Sequence, residues 1–111
     1  MIFIESLAFS ARLEQLAGNT APDALMRIQE ELLMNPLRGN MVQGLGGVRK
    51  ARMSNPARGK GKRGGFRCFF LFLEHRGHMH LLFLLDKDEE EDLSMQERKV
   101  LRQLVEQIKR Q

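Results

Sequence analysis

The two longest apolar runs of the chain, Phe66 to Leu73 and Met79 to Leu85, are separated only by Glu74-His75-Arg76-Gly77-His78. A strand with one face in water alternates apolar and polar residues, whereas these runs are apolar at nearly every position. They predict a hairpin at the centre of a sheet covered on both faces. Three amphipathic segments can supply the covers. Ser6 is suited to cap a helix whose apolar face carries Phe9, Leu13, Leu16 and Ala17 and which Gly18 stops. Thr20-Ala21-Pro22-Asp23 then offers a capping hydroxyl, an early-turn proline and an acid near the positive helix end. From there Leu25, Ile28, Leu32 and Leu33 keep helical spacing until Asn35-Pro36. The last helix opens on the capping box Ser94-Met95-Gln96-Glu97 and carries Val100, Leu101, Leu104, Val105 and Ile108 on one face. The first two helices are expected to lie antiparallel, and Met26 and Met34 read as ordinary members of an apolar stripe with no chemical role.

Shorter segments complete the order. Ile2-Phe3-Ile4, Met41-Val42 and Val48 to Met53 read as strands, the last two separated by the turn-forming Gly44-Leu45-Gly46-Gly47. The resulting pattern, β-α-α-β-β-β-β-α, has no internal repeat. With 111 residues and a hydrophobic fraction of 42%, it predicts a single α+β domain spanning residues 1–111.

Charge is distributed unevenly over this pattern. From Leu32 to Leu73 there are nine Lys or Arg residues and no Asp or Glu, while the other nine cations are set against all 14 acids. A net charge of +4 thus hides a strongly basic middle and a remainder of −5. Most of the cations crowd into Gly47-Val48-Arg49-Lys50-Ala51-Arg52 and Arg58-Gly59-Lys60-Gly61-Lys62-Arg63, where glycines let backbone N–H groups approach an anion as closely as the side chains do. Such segregation predicts a polyanion site rather than a generally basic surface. The acidic run from Asp86 to Asp92, interrupted by Lys87, precedes the terminal helix and is expected to favour its N-terminus. No apolar stretch approaches the ~20 residues of a membrane span, and no secretory leader is legible, so a cytoplasmic location with no membrane partner is expected. Cys68 is alone in the chain and sits within an apolar run, which makes it a small buried hydrophobe rather than a disulfide partner or nucleophile.

Several features occur together and in a particular order. They are Phe3-Ile4-Glu5-Ser6 with Phe9, the Asn35-Pro36 helix ending, Gly46-Gly47-Val48-Arg49-Lys50-Ala51-Arg52, the loop Arg58 to Arg63 followed by Gly64-Gly65-Phe66-Arg67, and the tail Leu84-Leu85-Asp86-Lys87-Asp88-Glu89 through Asp92-Leu93-Ser94. In these the chain resembles toxins of the RelE superfamily, and within it the HigB-like branch of type II toxin-antitoxin systems. The resemblance implies a small, mostly antiparallel sheet packed by two N-terminal helices and a C-terminal helix. It also implies a ribosome-dependent endoribonuclease that cuts messenger RNA in the ribosomal A site and is neutralised by a cognate, HigA-like antitoxin.

RNA is cleaved without metal or cofactor when its own 2′-OH attacks the adjacent phosphate, and cations are then needed to stabilise charge building on phosphorus. The resemblance places Arg67 where superfamily toxins carry an arginine on the scissile phosphate, a role that its planar fork suits. Alternation along the strand puts Arg67 on the side of Phe69, Leu71 and Leu73. Lys50 and Arg52, two apart on a strand, project to one face and match the family's paired basic residues, and Lys87 matches another basic position. These four are the candidate catalytic residues. Arg49 points the other way and joins Arg58, Lys60, Lys62 and Arg63 as an expected contact to RNA or ribosome. The chain departs from the family in having no tyrosine, with Leu93 and Ser94 in the tail region where some members carry one; either base stacking and any phenolic acid-base role come from elsewhere, with Phe66 the candidate for stacking, or the activity is weak.

Two other readings compete. His75, His78 and His80 lie near Glu74 and Asp86, but histidines around a hairpin turn with no defined ligand spacing read as surface or edge residues, and no metal site is expected. A basic module that binds RNA or DNA without cutting it would use the same loop, although the chain shows no helix-turn-helix, RNP aromatic motif or zinc finger. Replacing Lys60, Lys62 and Arg63 by Gln is expected to weaken ribosome association and flatten its dependence on salt, because fewer counterions are released on binding. Sedimentation with ribosomes over a salt series checks this, and an unchanged slope would assign the loop no electrostatic part.

Overall fold

The computed structural model describes residues 1–56, 65–86 and 92–111. Five strands form one sheet: β1 (Ile2–Glu5), β2 (Asn40–Met41), β3 (Arg49–Met53), β4 (Phe66–Leu73) and β5 (His78–Asp86). Their order is β1-β5-β4-β3-β2, antiparallel throughout except for the parallel pair of β1 with β5. The hairpin of β4 and β5 is therefore interior, as its apolar runs predicted. Helices α1 (Leu7–Ala17) and α2 (Ala21–Met34), joined by a single 3-10 turn at Gly18–Thr20, pack on one face, and α3 (Met95–Arg110) packs on the other.

Two apolar layers result from strand alternation. Phe66, Cys68 and Phe70 of β4 meet Phe9, Leu13, Ile28 and Leu32 of the first two helices. Phe69, Leu71 and Leu73, on the opposite face, meet Leu101, Val105 and Ile108 of α3. On β5 the alternation breaks once. Phe69 pairs with Phe83 and Phe70 with Leu81, which leaves Leu82 as the extra residue of a β-bulge. Before it Met79 and Leu81 face α1 and α2; beyond it Leu84 does, and Leu82 and Leu85 turn to α3.

β1 covers only the first part of β5, its pairing ending at Leu81. Side chains at the start of α1 take over from there. The Ser6 hydroxyl accepts the Phe9 N–H at 3.0 Å as the helix cap and donates to the Leu82 carbonyl at 2.7 Å. Arg12 Nε then donates to the Leu84 carbonyl at 3.0 Å, with its guanidinium over the Phe83 ring. Ser94 and Glu97 form the expected capping box of α3. Arg76 in the hairpin turn donates to the carbonyls of Ile108 at 3.0 Å and Gln111 at 2.6 Å, which ties the C-terminal end of α3 to the hairpin.

Some local expectations are corrected. Thr20 does not cap α2; its hydroxyl donates back to the Ala17 carbonyl at 2.7 Å. The buried face of α2 is Ala21, Ala24, Ile28 and Leu32, and Met26, Leu33 and Met34 face solvent. Small alanines let the helix approach its neighbours closely, and reading the stripe from large side chains alone rotated it. Val100 is likewise more exposed than the rest of its predicted face. Cys68 is fully buried, and burial, with the nearby Glu31 charge adding to it, pushes its thiol far above the usual range, consistent with an inert core residue. No helix among the described residues is long and apolar enough to cross a membrane.

Phe9, at 0% exposure, bridges α1 to the sheet in the first layer. Phe9→Ala is expected to lower stability by about 3–5 kcal/mol, read from urea unfolding. Far-UV circular dichroism is the suitable probe because the chain has neither Trp nor Tyr.

Candidate functional site

The basic residues of β3 and β4 converge where the covered part of the sheet ends. Ala51 and Met53 belong to the layer under α1 and α2, so alternation turns Lys50 and Arg52 to the opposite face; Phe66 and Cys68 do the same for Arg67. Across the two strands Arg52 lies directly opposite Arg67, and Lys50 opposite Phe69. Like charges at paired positions oppose strand association, so this arrangement is not explained by stability. An open cleft of about 210 Å³ is lined by Gly39, Asn40, Lys50, Ala51, Arg52 and Arg67. Two glycines allow close backbone approach to β3, and the first of them lines the cleft. Gly39 has φ +82°, and a Cβ there would collide with the Lys50 carbonyl. A Cβ on Gly65 would lie 2.5 Å from the Met53 carbonyl.

Among the described residues, an acid also enters this cationic face. Asp92, just before α3, accepts from Lys50 Nζ through Oδ2 at 3.1 Å and from the Leu93 N–H through Oδ1 at 2.8 Å. Burial alone would raise its pKa, but the Leu93 amide, Lys50 and the Arg67 charge outweigh burial and hold the carboxyl below its ordinary value.

The other expected site residues fall differently. Arg49, on the reverse face, donates to the Gly39 carbonyl at 3.2 Å and supports the cleft wall from behind. Arg38, another cation of the acid-free stretch, is paired with Glu31 of α2 at 3.1 Å and donates to the Arg52 carbonyl at 3.1 Å, but it does not line the cleft. Phe66 is corrected outright: at 1% exposure its ring is core and offers no face to a base. Arg58, Lys60, Lys62, Arg63 and Lys87 lie outside the described residues. Sequence reasoning missed Gly39, Asn40 and Asp92. Asn40 could have been found only from the register that places it opposite Lys50, and Asp92 only from the position of the capping box two residues later.

No protein-family model matches the sequence. Solved structures do match its fold. The E. coli RelE toxin in the free state, in a mutant form, aligns with TM-score 0.54 at 13% identity over 81% of this chain and 86% of that one. The P21 crystal form of isolated E. coli RelE gives 0.54 at 10% identity over 93% and 97%. The fold is that of RelE. The intact E. coli RelBE toxin-antitoxin complex also matches, at 0.53 and 13% identity over 77% of this chain and 94% of its counterpart. At such identities the likeness carries the RelE architecture to this chain and no residue roles.

The histidines gather no metal-binding group: among the described residues no three His, Cys, Asp or Glu side chains assemble. His75 is exposed, whereas His80, expected at the surface or an edge, is only 5% exposed and lies edge-on to His78 with ring centroids 5.9 Å apart. Its Nε2 has no hydrogen-bond partner among the described residues. Burial, then the charges of His78 and Arg76, lower its pKa, so the fold holds it neutral. As pH falls below about 6.5 the unfolded chain takes up this proton first, and stability is expected to drop through that window. Thermal melts between pH 7.5 and 5 check the direction, with His80→Gln flattening the fall.

Proposed function

We propose that this chain, taken as one 111-residue domain, is the toxin of a type II toxin-antitoxin pair and acts as a ribosome-dependent endoribonuclease on messenger RNA. The supporting observation is the cluster of Lys50, Arg52 and Arg67 around an open cleft in a RelE-like fold, with two arginines held directly opposite each other. Phosphate diester chemistry gives such a cluster a purpose. When a 2′-oxygen loses its proton and attacks the adjacent phosphorus, negative charge builds on the non-bridging oxygens before the 5′-oxygen departs and is protonated. Arg67 and Arg52 supply forked donors for those oxygens, and Lys50 adds a third positive charge. This route leaves a 2′,3′-cyclic phosphate and a free 5′-hydroxyl, and requires no metal or cofactor.

Assignment to the HigB-like branch rests on the ordered sequence features and carries with it a HigA-like antitoxin as partner and a cytoplasmic setting. An antitoxin partner is in keeping with the RelBE complex among the fold's relatives. Lys87 belongs to the proposed site on sequence grounds alone.

Arg67→Ala is expected to reduce cleavage by roughly 10²-fold or more while leaving the melting temperature and antitoxin association nearly unchanged. Arg67→Lys should recover only part of the loss, because an ammonium cannot bridge two phosphate oxygens. Lys50 and Arg52 variants should show graded, non-additive losses. Primer extension on messenger RNA from translating ribosomes reads the new 5′ ends. Undiminished cleavage by Arg67→Ala would remove that residue from the chemistry. A parent protein that binds RNA but creates no new ends would establish the non-cutting RNA-binding module instead.

A further inference from the structure

Among the described residues, Asp92 is an acid delivered from a distant segment onto a face whose cations Lys50, Arg52 and Arg67 come from acid-free sequence. We infer that its carboxylate is an internal competitor for phosphate, occupying the Lys50 ammonium in the free protein and giving it up when an RNA phosphodiester enters the cleft. The inference rests on the RNA-cleaving reading of the same site and adds to it a residue that sets affinity.

Geometry supports exchange rather than permanent pairing. The carboxylate is fixed on one side by the Leu93 N–H, so Asp92 stays with the start of α3. Lys50 reaches it through a flexible four-carbon stem, and its ammonium can swing to a neighbouring anion without any backbone movement. The pair is open to water, with side-chain exposures of 51% for Asp92 and 27% for Lys50, which keeps the cost of parting low. Carboxylate and phosphate oxygens are interchangeable partners for an ammonium, and the phosphate brings contacts to Arg52 and Arg67 that a single carboxylate does not replace. The Arg67 charge also acts on Asp92, so the acid lies within the field that would attract the RNA.

Asp92→Asn isolates the charge, because the amide oxygen can still accept the Leu93 N–H. Fluorescence anisotropy with a mixed-sequence 2′-O-methyl RNA 12-mer, which lacks the attacking hydroxyl, measures binding without cleavage. Asp92→Asn is expected to bind about three- to fivefold tighter than the parent, and the gain should shrink below about twofold when Lys50→Gln is already present. Glu106→Gln, an equal change of charge on the exposed side of α3, should shift binding by less than about twofold. Equal or weaker binding by Asp92→Asn, with the parent binding normally, would overturn the competitor role and leave the RNA reading intact. A gain that persists unchanged in the Lys50→Gln background would also overturn it. If the parent bound no better than a Lys50→Gln, Arg52→Gln, Arg67→Gln triple variant, the RNA site itself would fall and the inference with it.

Discussion

The constraint on which the structure turns is burial of the β4–β5 hairpin on both faces. A strand pair apolar at nearly every position cannot stand at an edge or face water, so it demands a cover on each side and a neighbour on each flank. The helices α1 and α2 meet the first demand on one face and α3 on the other. The second is met by β3 on one side and by β1 on the other, with Ser6 and Arg12 continuing hydrogen bonding to β5 where β1 stops. All elements but β2, which pairs with the outer side of β3, answer one of these requirements.

The same constraint decides where charged chemistry can be placed. Along most of β4 both faces are filled, and only near its start, next to β3, does the face shared with α3 open. Arg67 lies there, and the antiparallel register brings Arg52 and Lys50 beside it from a segment separated in sequence by the basic loop. The site is thus a boundary between a packed layer and open solvent. Apolar β4 side chains fix the backbone beneath the arginines, while water remains available to them on the outer side.

How much of this was legible in the sequence depended on whether the signal was local. Apolar continuity revealed the interior hairpin, and Ser6 and the Ser94–Glu97 box announced two helix starts at the positions the structure shows. The shared face of Lys50 and Arg52 followed from spacing alone. Features set by register or by small residues were not visible. Ala21 and Ala24 complete the buried face with Ile28 and Leu32 and leave Met26, Leu33 and Met34 outside. Phe66 looked like a stacking residue beside the basic loop, yet the parity of β4 sends it into the core. Asp92 seemed to belong with the helix N-terminus, and only the packing of α3 over the sheet brings it within 3.1 Å of Lys50.

The bulge at Leu82 gives the central strand an asymmetric tolerance to changes in length. Elsewhere in β5, adding or removing one residue would exchange the two layers, sending side chains sized for α1 and α2 toward α3 and the reverse. At Leu82 the strand already holds one residue more than β4 can pair, and its carbonyl is accommodated by Ser6. Loss of that residue alone would let the two halves of β5 join in unbroken alternation with every other side chain still facing its own layer. The hairpin can therefore lose one residue at this point without exchanging its two layers, and α1, through Ser6, is the element that meets the extra carbonyl.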